Sequence, residues 1–427
     1  MSKFKPNISN ISSENGELKF ILSGSDNYGL DKSIVNGIRR ALLTDIPSIA
    51  FKTEEQMNQK DIHIVTNTTS LHNEMLLQRM SLIPLYIDPE NYMKNYLFEL
   101  KVIHDGKNPF QFVTTNDMNI YPLNSELQKR IDNFEEEDTE ELDTLLNSNN
   151  PDNYDMNNPL SQKRKDEILR PFQFRGSTNY ILITELKNTN SEDFKQEIHC
   201  YGCPSLSTGK ENARFQPVSC ATYSFLKDDS LVNTVLQERI LVEKVEEEDI
   251  ESFTTKFMLA ESERYYCRDF ENEPHKYNFT IKSVHQYDSA KLFKQAITIL
   301  MEKLVSLKLS FIALLKNEDT CVSSLKVNDF LYHYTINDEG HTLGNMIQSH
   351  ITRRSINDKS MLQLCGYKKP HPLEESMKLI LSLNPKHKVM KETEQNKFMI
   401  ITNFLMEELE TIRQELKLIV EACDIFE

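Results

Sequence analysis

Leu18, Phe20 and Leu22 alternate with mostly polar neighbours, the period-two pattern of a strand with one buried face. A polar turn spans 23–28. Ile34, Ile38 and Leu42 then recur every fourth residue, with Val35 beside them, which predicts a helix with one apolar stripe that Asp31 caps and Pro47 ends. The same order returns far downstream: Phe330, Tyr332, Tyr334 and Ile336 alternate, residues 337–340 turn the chain, and Leu343, Ile347 and Ile351 form a second stripe. Ser33-Ile34-Val35-Asn36-Gly37-Ile38 aligns without a gap on Thr342-Leu343-Gly344-Asn345-Met346-Ile347, placing Asn36 on Asn345 at a separation of 309 residues.

A second correspondence supports this repeat. Phe293, Ile297, Leu300, Leu304, Leu307, Phe311 and Leu314 step by four and three. Ile401, Leu405, Glu408, Ile412, Glu415 and Ile419 keep that rhythm with two charged interruptions, and a shift to Leu405, Leu409, Ile412, Leu416, Ile419 and Cys423 removes the charges. Both segments predict long helices with an apolar seam. Alternating strands precede them, at Tyr277, Phe279 and Ile281 and at Met377, Leu379, Leu381 and Leu383, so each copy reads strand, helix, strand, long helix. About forty residues separate the two helices of the second copy, against roughly 230 in the first, enough for an inserted domain. Strand-like pieces lie in it at 96–102 and 180–183, and residues 124–166, rich in Asp, Glu and Asn, predict an acidic loop with at most one short helix.

Composition narrows the function. Of 427 residues, 65 are acidic and 49 are Lys or Arg, a net charge of -16 that disfavours direct nucleic-acid binding, which needs clustered cations facing phosphates. Seven scattered cysteines form no disulfide framework, the first residues, MSKFKPNISNISSENG, lack the apolar stretch of a signal peptide, and no uncharged apolar run approaches the roughly 18 residues of a spanning helix, so the expectation is a soluble, intracellular protein.

Catalytic chemistry finds no residues to carry it. Ser207-Thr208-Gly209-Lys210 fails as a phosphate loop, because six residues separate Gly202 from Gly209 and Glu211 follows the Lys. Cys200 and Cys203 have the spacing of a zinc knuckle, yet only His199 and Cys220 could complete four ligands; buried strand cysteines are the preferred reading, and no metal or cofactor is expected in this chain. Asp228-Asp229 are adjacent, so on a strand they point apart rather than converging on Mg²⁺. No catalytic residue is assigned. A stand-alone nucleotide-binding enzyme lacks its loop, and a helical and β protein-interaction scaffold remains open.

The motifs themselves resemble a known family. Asn36-Gly37-Ile38-Arg39-Arg40-Ala41-Leu42-Leu43-Thr44-Asp45-Ile46-Pro47 is similar to the signature helix of the bacterial RNA polymerase alpha subunit, the archaeal D subunit and the third-largest eukaryotic subunit. Glu74-Met75-Leu76-Leu77-Gln78-Arg79-Met80-Ser81-Leu82-Ile83-Pro84-Leu85 resembles the family's next helix and following strand, and Thr208-Gly209-Lys210-Glu211-Asn212-Ala213-Arg214-Phe215 the stretch before the last strands of its inserted domain. His341-Thr342-Leu343-Gly344-Asn345 and Gly366-Tyr367-Lys368-Lys369-Pro370-His371-Pro372-Leu373 resemble the small partner of that subunit, the archaeal L type. Separate chains in cellular enzymes, the two here look fused, as in polymerases of large DNA viruses of eukaryotes. The zinc loop that the eukaryotic subunit carries early in its inserted domain has no counterpart, since no Cys precedes position 200.

The resemblance implies an α+β protein of two alpha-type dimerisation modules forming an intramolecular pseudo-dimer, with a mostly β inserted domain in the first. The boundaries read 1–51 and 271–316 for module one, 52–270 for the insert, 317–326 for a linker and 327–427 for module two. Ile34, Ile38, Leu42, Leu300, Leu304, Leu307, Leu343, Ile347, Ile351, Ile412, Leu416 and Ile419 are the expected pairing residues; Asn36, Arg39, Arg40, His341 and Asn345 are expected to dock the large subunits. Implied partners are the two largest polymerase subunits, which hold the Mg²⁺, and a small assembly subunit, with no membrane and one copy per complex. Fusion raises the effective concentration of each half for the other. A virion and host-cytoplasm location follows from the viral resemblance.

Overall fold

The computed structural model describes residues 4–14, 16–25, 28–53, 60–90, 92–132, 150–189, 194–284, 287–357 and 359–426. The chain forms two compact units, one from 1–46 with 218–427 and the other from 47–217.

In the first unit the elements run β1 (Asn7–Glu14), β2 (Glu17–Ser23), α1 (Lys32–Thr44), β3 (Val218–Phe225), α2 (Asp229–Glu243), α3 (Ile250–Ala260), β4 (Lys276–Ser283) and α4 (Ser289–Leu315). They continue with β5 (Val322–Lys326), β6 (Leu331–Asn337), α5 (His341–Arg354), β7 (Leu362–Lys368), β8 (Ser376–Leu383) and α6 (Glu394–Ala422). Two antiparallel sheets result, ordered β1-β2-β4-β3 and β5-β6-β8-β7. Phe20 lies opposite Phe279 in one and Tyr334 opposite Leu379 in the other, so the central strands match residue for residue. Apart from α2 and α3, which stand between β3 and β4 of the first copy, each copy is therefore ββαββα, two strands more than the pattern predicts. The missed strands lie at the sheet edges, where few residues face inward: Ile8 of β1 and Val322 of β5 are buried among mostly exposed neighbours.

Those edge strands also correct the boundaries. β3, expected within an insert of 52–270, pairs with β4, and the second compact unit ends at 217. The expected linker 317–326 contains β5. Asp31 caps α1 as expected, its carboxylate accepting from the Ser33 amide at 2.8 Å.

One continuous core joins both sheets and all four principal helices, with α4 packed along α6 and α1 against α5. Among the described residues no helix is long and apolar enough to cross a membrane.

The unit 47–217 is mostly β. Strands Ile62–Asn67, Glu197–Gly202, Tyr96–Ile103 and Met118–Pro122 form an antiparallel sheet in that order, covered by Leu76, Leu77 and Met80 of the helix Asn73–Ser81. The strand-like piece at 180–183 lies later than expected, as Leu182–Lys187. The strand expected after Ser81 does not form: Ile83 and Leu85 are buried, but Pro84 between them has no N–H for a ladder. Residues 124–166 are not one acidic loop. The one short helix allowed there forms as Ser125–Asp132, a second, Gln162–Ile168, begins inside the range, and Tyr154 within it is buried. The acidic stretch 135–138 and residues 147–149 lie outside the described residues.

Candidate assembly interface

The predicted stripe residues Ile34, Ile38, Leu42, Leu300, Leu304, Leu307, Leu343, Ile347, Ile351, Ile412, Leu416 and Ile419 all lie buried in the shared core. Burying each such side chain contributes roughly 1.5–3 kcal/mol. Helices α1 and α5 run antiparallel: Arg40 Nε donates to Thr342 Oγ1 at 2.8 Å, and Ser349 Oγ donates to Asp31 Oδ2 at 2.7 Å. Between these bonds, a Cβ on Gly37 would stand 2.5 Å from the Met346 methyl. A mid-helix glycine is unfavourable by roughly 0.5–1 kcal/mol against alanine, so its presence here has a packing reason.

The long helices α4 and α6 are antiparallel as well, with Lys308 2.9 Å from Glu410 and Lys294 3.3 Å from Asp424 at the other end. Glu410 is held at about 2 by the Arg413 guanidinium first and Lys308 second. Each helix ends against the other copy's sheet. Phe311 meets Tyr334 edge-on at 5.7 Å, and Phe426, beyond α6, meets Phe20 at 5.1 Å.

On α6 the charge-free register is the one that forms the seam: Leu405, Leu409, Ile412, Leu416, Ile419 and Cys423 are all buried. Glu415, set aside in that shift, is nevertheless 3% exposed. Its carboxylate accepts from Tyr28 OH at 2.9 Å and lies 3.9 Å from His350 Nδ1, whose Nε2 is 3.2 Å from Glu408. Burial pushes the Glu415 carboxyl above its ordinary range, against His350, the Tyr28 hydrogen bond and Arg354. Arg354 stacks 3.6 Å over the Tyr28 ring and donates to the Gly29 carbonyl, while Arg353 reaches Asp269 and Glu271 at 2.8 Å and Asp31 at 3.8 Å. Sequence reasoning missed this polar cluster. Its one visible signal was the pair of glutamates interrupting the heptad rhythm, each three residues after one apolar seam position and four before the next.

The residues expected to dock large subunits divide. Arg40 turns across the α1–α5 seam to Thr342, so it is a pairing contact in this structure rather than an outward group. Arg39 is half-buried, with its Nε donating to Asn36 Oδ1 at 3.1 Å on the same helix face. His341 is exposed, its ring 5.8 Å from that of Tyr367, and Asn345 is half-buried. The His341–Tyr367 contact brings together two motifs distant in sequence. Gly344 explains part of their pairing, because a Cβ there would meet the Tyr367 ring at 2.7 Å and the Met377 sulfur at 2.9 Å.

Cys200 and Cys203 sit in separate apolar clusters. Cys200 lies 3.8 Å from the Met80 sulfur and Cys203 donates to Tyr154 OH at 3.0 Å. Burial pushes their thiols up to about 12 and about 11, away from the thiolate that binds metals. Among the described residues no group of three or more His, Cys, Asp or Glu is placed to hold a metal ion.

Two sheet-and-helix copies, joined through antiparallel helices over one core, are the architecture on which the family is recognised. The chain belongs to the RNA polymerase Rpb3/Rpb11 dimerisation domain family, whose models match residues 26–304 and, separately, 332–418. It is 25% identical over 332 residues to the DNA-directed RNA polymerases I and III subunit rpac1 of Dictyostelium discoideum, covering 71% of this chain and 81% of that one. To human RPAC1 it is 25% identical over 218 residues, 49% of this chain and 53% of the human one. A stretch of 75 residues is 36% identical to the polymerase subunit Rpo3 of Methanosarcina mazei, 18% of this chain and 23% of the archaeal one.

Proposed function

We propose that this chain is a non-catalytic assembly platform of a multisubunit DNA-directed RNA polymerase. Its two copies act as an intramolecular pseudo-dimer that nucleates assembly of the two largest subunits. The observation that carries the reading is the presence of two matches to one dimerisation family in a single chain, with the helices of both matches buried against each other in one core. Half-buried Asn36, Arg39 and Asn345 and exposed His341 would face those partners, with Arg39 presenting a guanidinium suited to carboxylates. The Mg²⁺ of the complex would then belong to the large subunits, and a small assembly subunit would complete the set. The fused arrangement, by its resemblance to polymerases of large DNA viruses, extends the reading to virions and host cytoplasm.

Affinity purification from the natural source tests this: two much larger chains should accompany the protein, and their absence would sink the proposal. Ile38→Asp and Ile347→Asp each place a carboxylate in the closed core, at a cost of several kcal/mol. Either should abolish recovery of the large chains; a complex that survives both changes would show that the seam is not what assembly needs.

A further inference from the structure

We infer that Gly37 and Met346 are a size key at the centre of the α1–α5 seam, shaped so that each half fits the other and not a copy of itself. The inference rests on the pseudo-dimer reading above. Positions 37 and 346 are counterparts in the gapless repeat, and they are also the residues that meet. A residue meets its own counterpart only where a two-fold relation passes, so this contact marks the axis of the pair. The flanking bonds are disposed about it. Arg40 reaches Thr342 on one side, and Ser349, the counterpart of Arg40, reaches Asp31 on the other.

At the axis the two residues are complementary in size. The Met346 methyl occupies the place of the missing Gly37 Cβ, with Leu300 Cδ1 and Thr342 Cγ2 the next atoms around that place, at 3.8 and 3.9 Å. Met346 is fully buried, so the space cannot open to solvent. Two first halves would set Gly37 against Gly37 and leave a methionine-sized void. Two second halves would drive two Met346 side chains into one space. Both defects are destabilising in a close-packed interior.

The charges are one-sided in the same sense. Arg353 of the second half meets Asp31, Asp269 and Glu271 of the first. In the second half the counterpart of Asp31 is Gly340, which offers Ser349 and Arg353 no carboxylate. The partner that fits this surface is therefore the opposite half: acidic and glycine-notched facing basic and methionine-filled.

The full chain tests it with Gly37→Met, Met346→Gly and the exchanged double variant G37M/M346G, each followed by urea unfolding. Each single change should raise the unfolding equilibrium constant by roughly tenfold or more, and the exchange should reverse most of that rise. Where G37M yields no soluble protein, G37A with and without M346A reads the same coupling. Additive damage in the double variant, or a G37M protein as stable as the original, overturns the key. Copurification of the large chains with the unaltered protein is scored separately: coupling without those chains would remove the polymerase reading and keep the key, and the reverse outcome would do the opposite.

Discussion

Glu415 is buried beside the α6 seam, next to Leu416, and its neighbours explain why it is tolerated. Tyr28, His350 and Arg354 surround a carboxylate that water does not reach. Because burial raises its folded-state pKa above the ordinary 4.5, the folded protein binds the proton more tightly than the unfolded chain does. That contribution to stability is complete below about 4.5 and is lost as pH rises through the raised value. Relative to the parent, Glu415→Gln should thus gain stability as pH rises from 4.5 towards 8, measured by urea midpoints at several pH values; a constant difference across that range would refute the assignment. Glu410 has the opposite sign. Its lowered pKa adds stability above 4.5 that disappears as pH falls towards about 2, but its pairs are partly solvated and worth little more than about 1 kcal/mol. Removing a partner from the buried set is a different matter. Truncating Arg353 would leave the buried Asp31 and Asp269 carboxylates without their cation, a cost larger than the pairs' own net worth.

At the scale of elements, α4 and α6 are long enough, 27 and 29 residues, for each to bury a whole seam and still end on the opposite sheet. Leu416 is fully buried in that seam and Gln414 two residues earlier is exposed. Leu416→Ala should cost about 2–5 kcal/mol, and Gln414→Ala should stay within about 0.5 kcal/mol, both read from chemical denaturation. Equal effects would mean that α6 is rotated from the placement described. The four central strands and four principal helices were legible because their apolar periodicity reports one strongly buried face. Edge strands such as β1, with Ile8 its only buried residue, carry too little of that period to be read, and they are held by backbone ladders instead. The helix Gln162–Ile168 was hidden by composition: Lys165 and Ile168 are buried in a segment that reads as charged.

For the whole molecule, the division into units 1–46 with 218–427 and 47–217 predicts that residues 47–217 expressed alone fold, since they are contiguous and enclose their own core. A single cooperative urea transition is the expected result, and a gradual one would show that this unit depends on the remainder. The repeat at 309 residues, the two long helices and the buried apolar stripes were all determined by the sequence alone, because period and spacing are local properties that solvent exclusion acts on directly. Only the tertiary structure decided that β3 belongs to the first sheet, that Arg40 turns into the seam, that Glu415 is buried, and that Gly37 makes room for Met346. Each of these depends on groups distant in the chain competing for the same volume or the same proton, and no periodicity along one strand or helix records which partner wins.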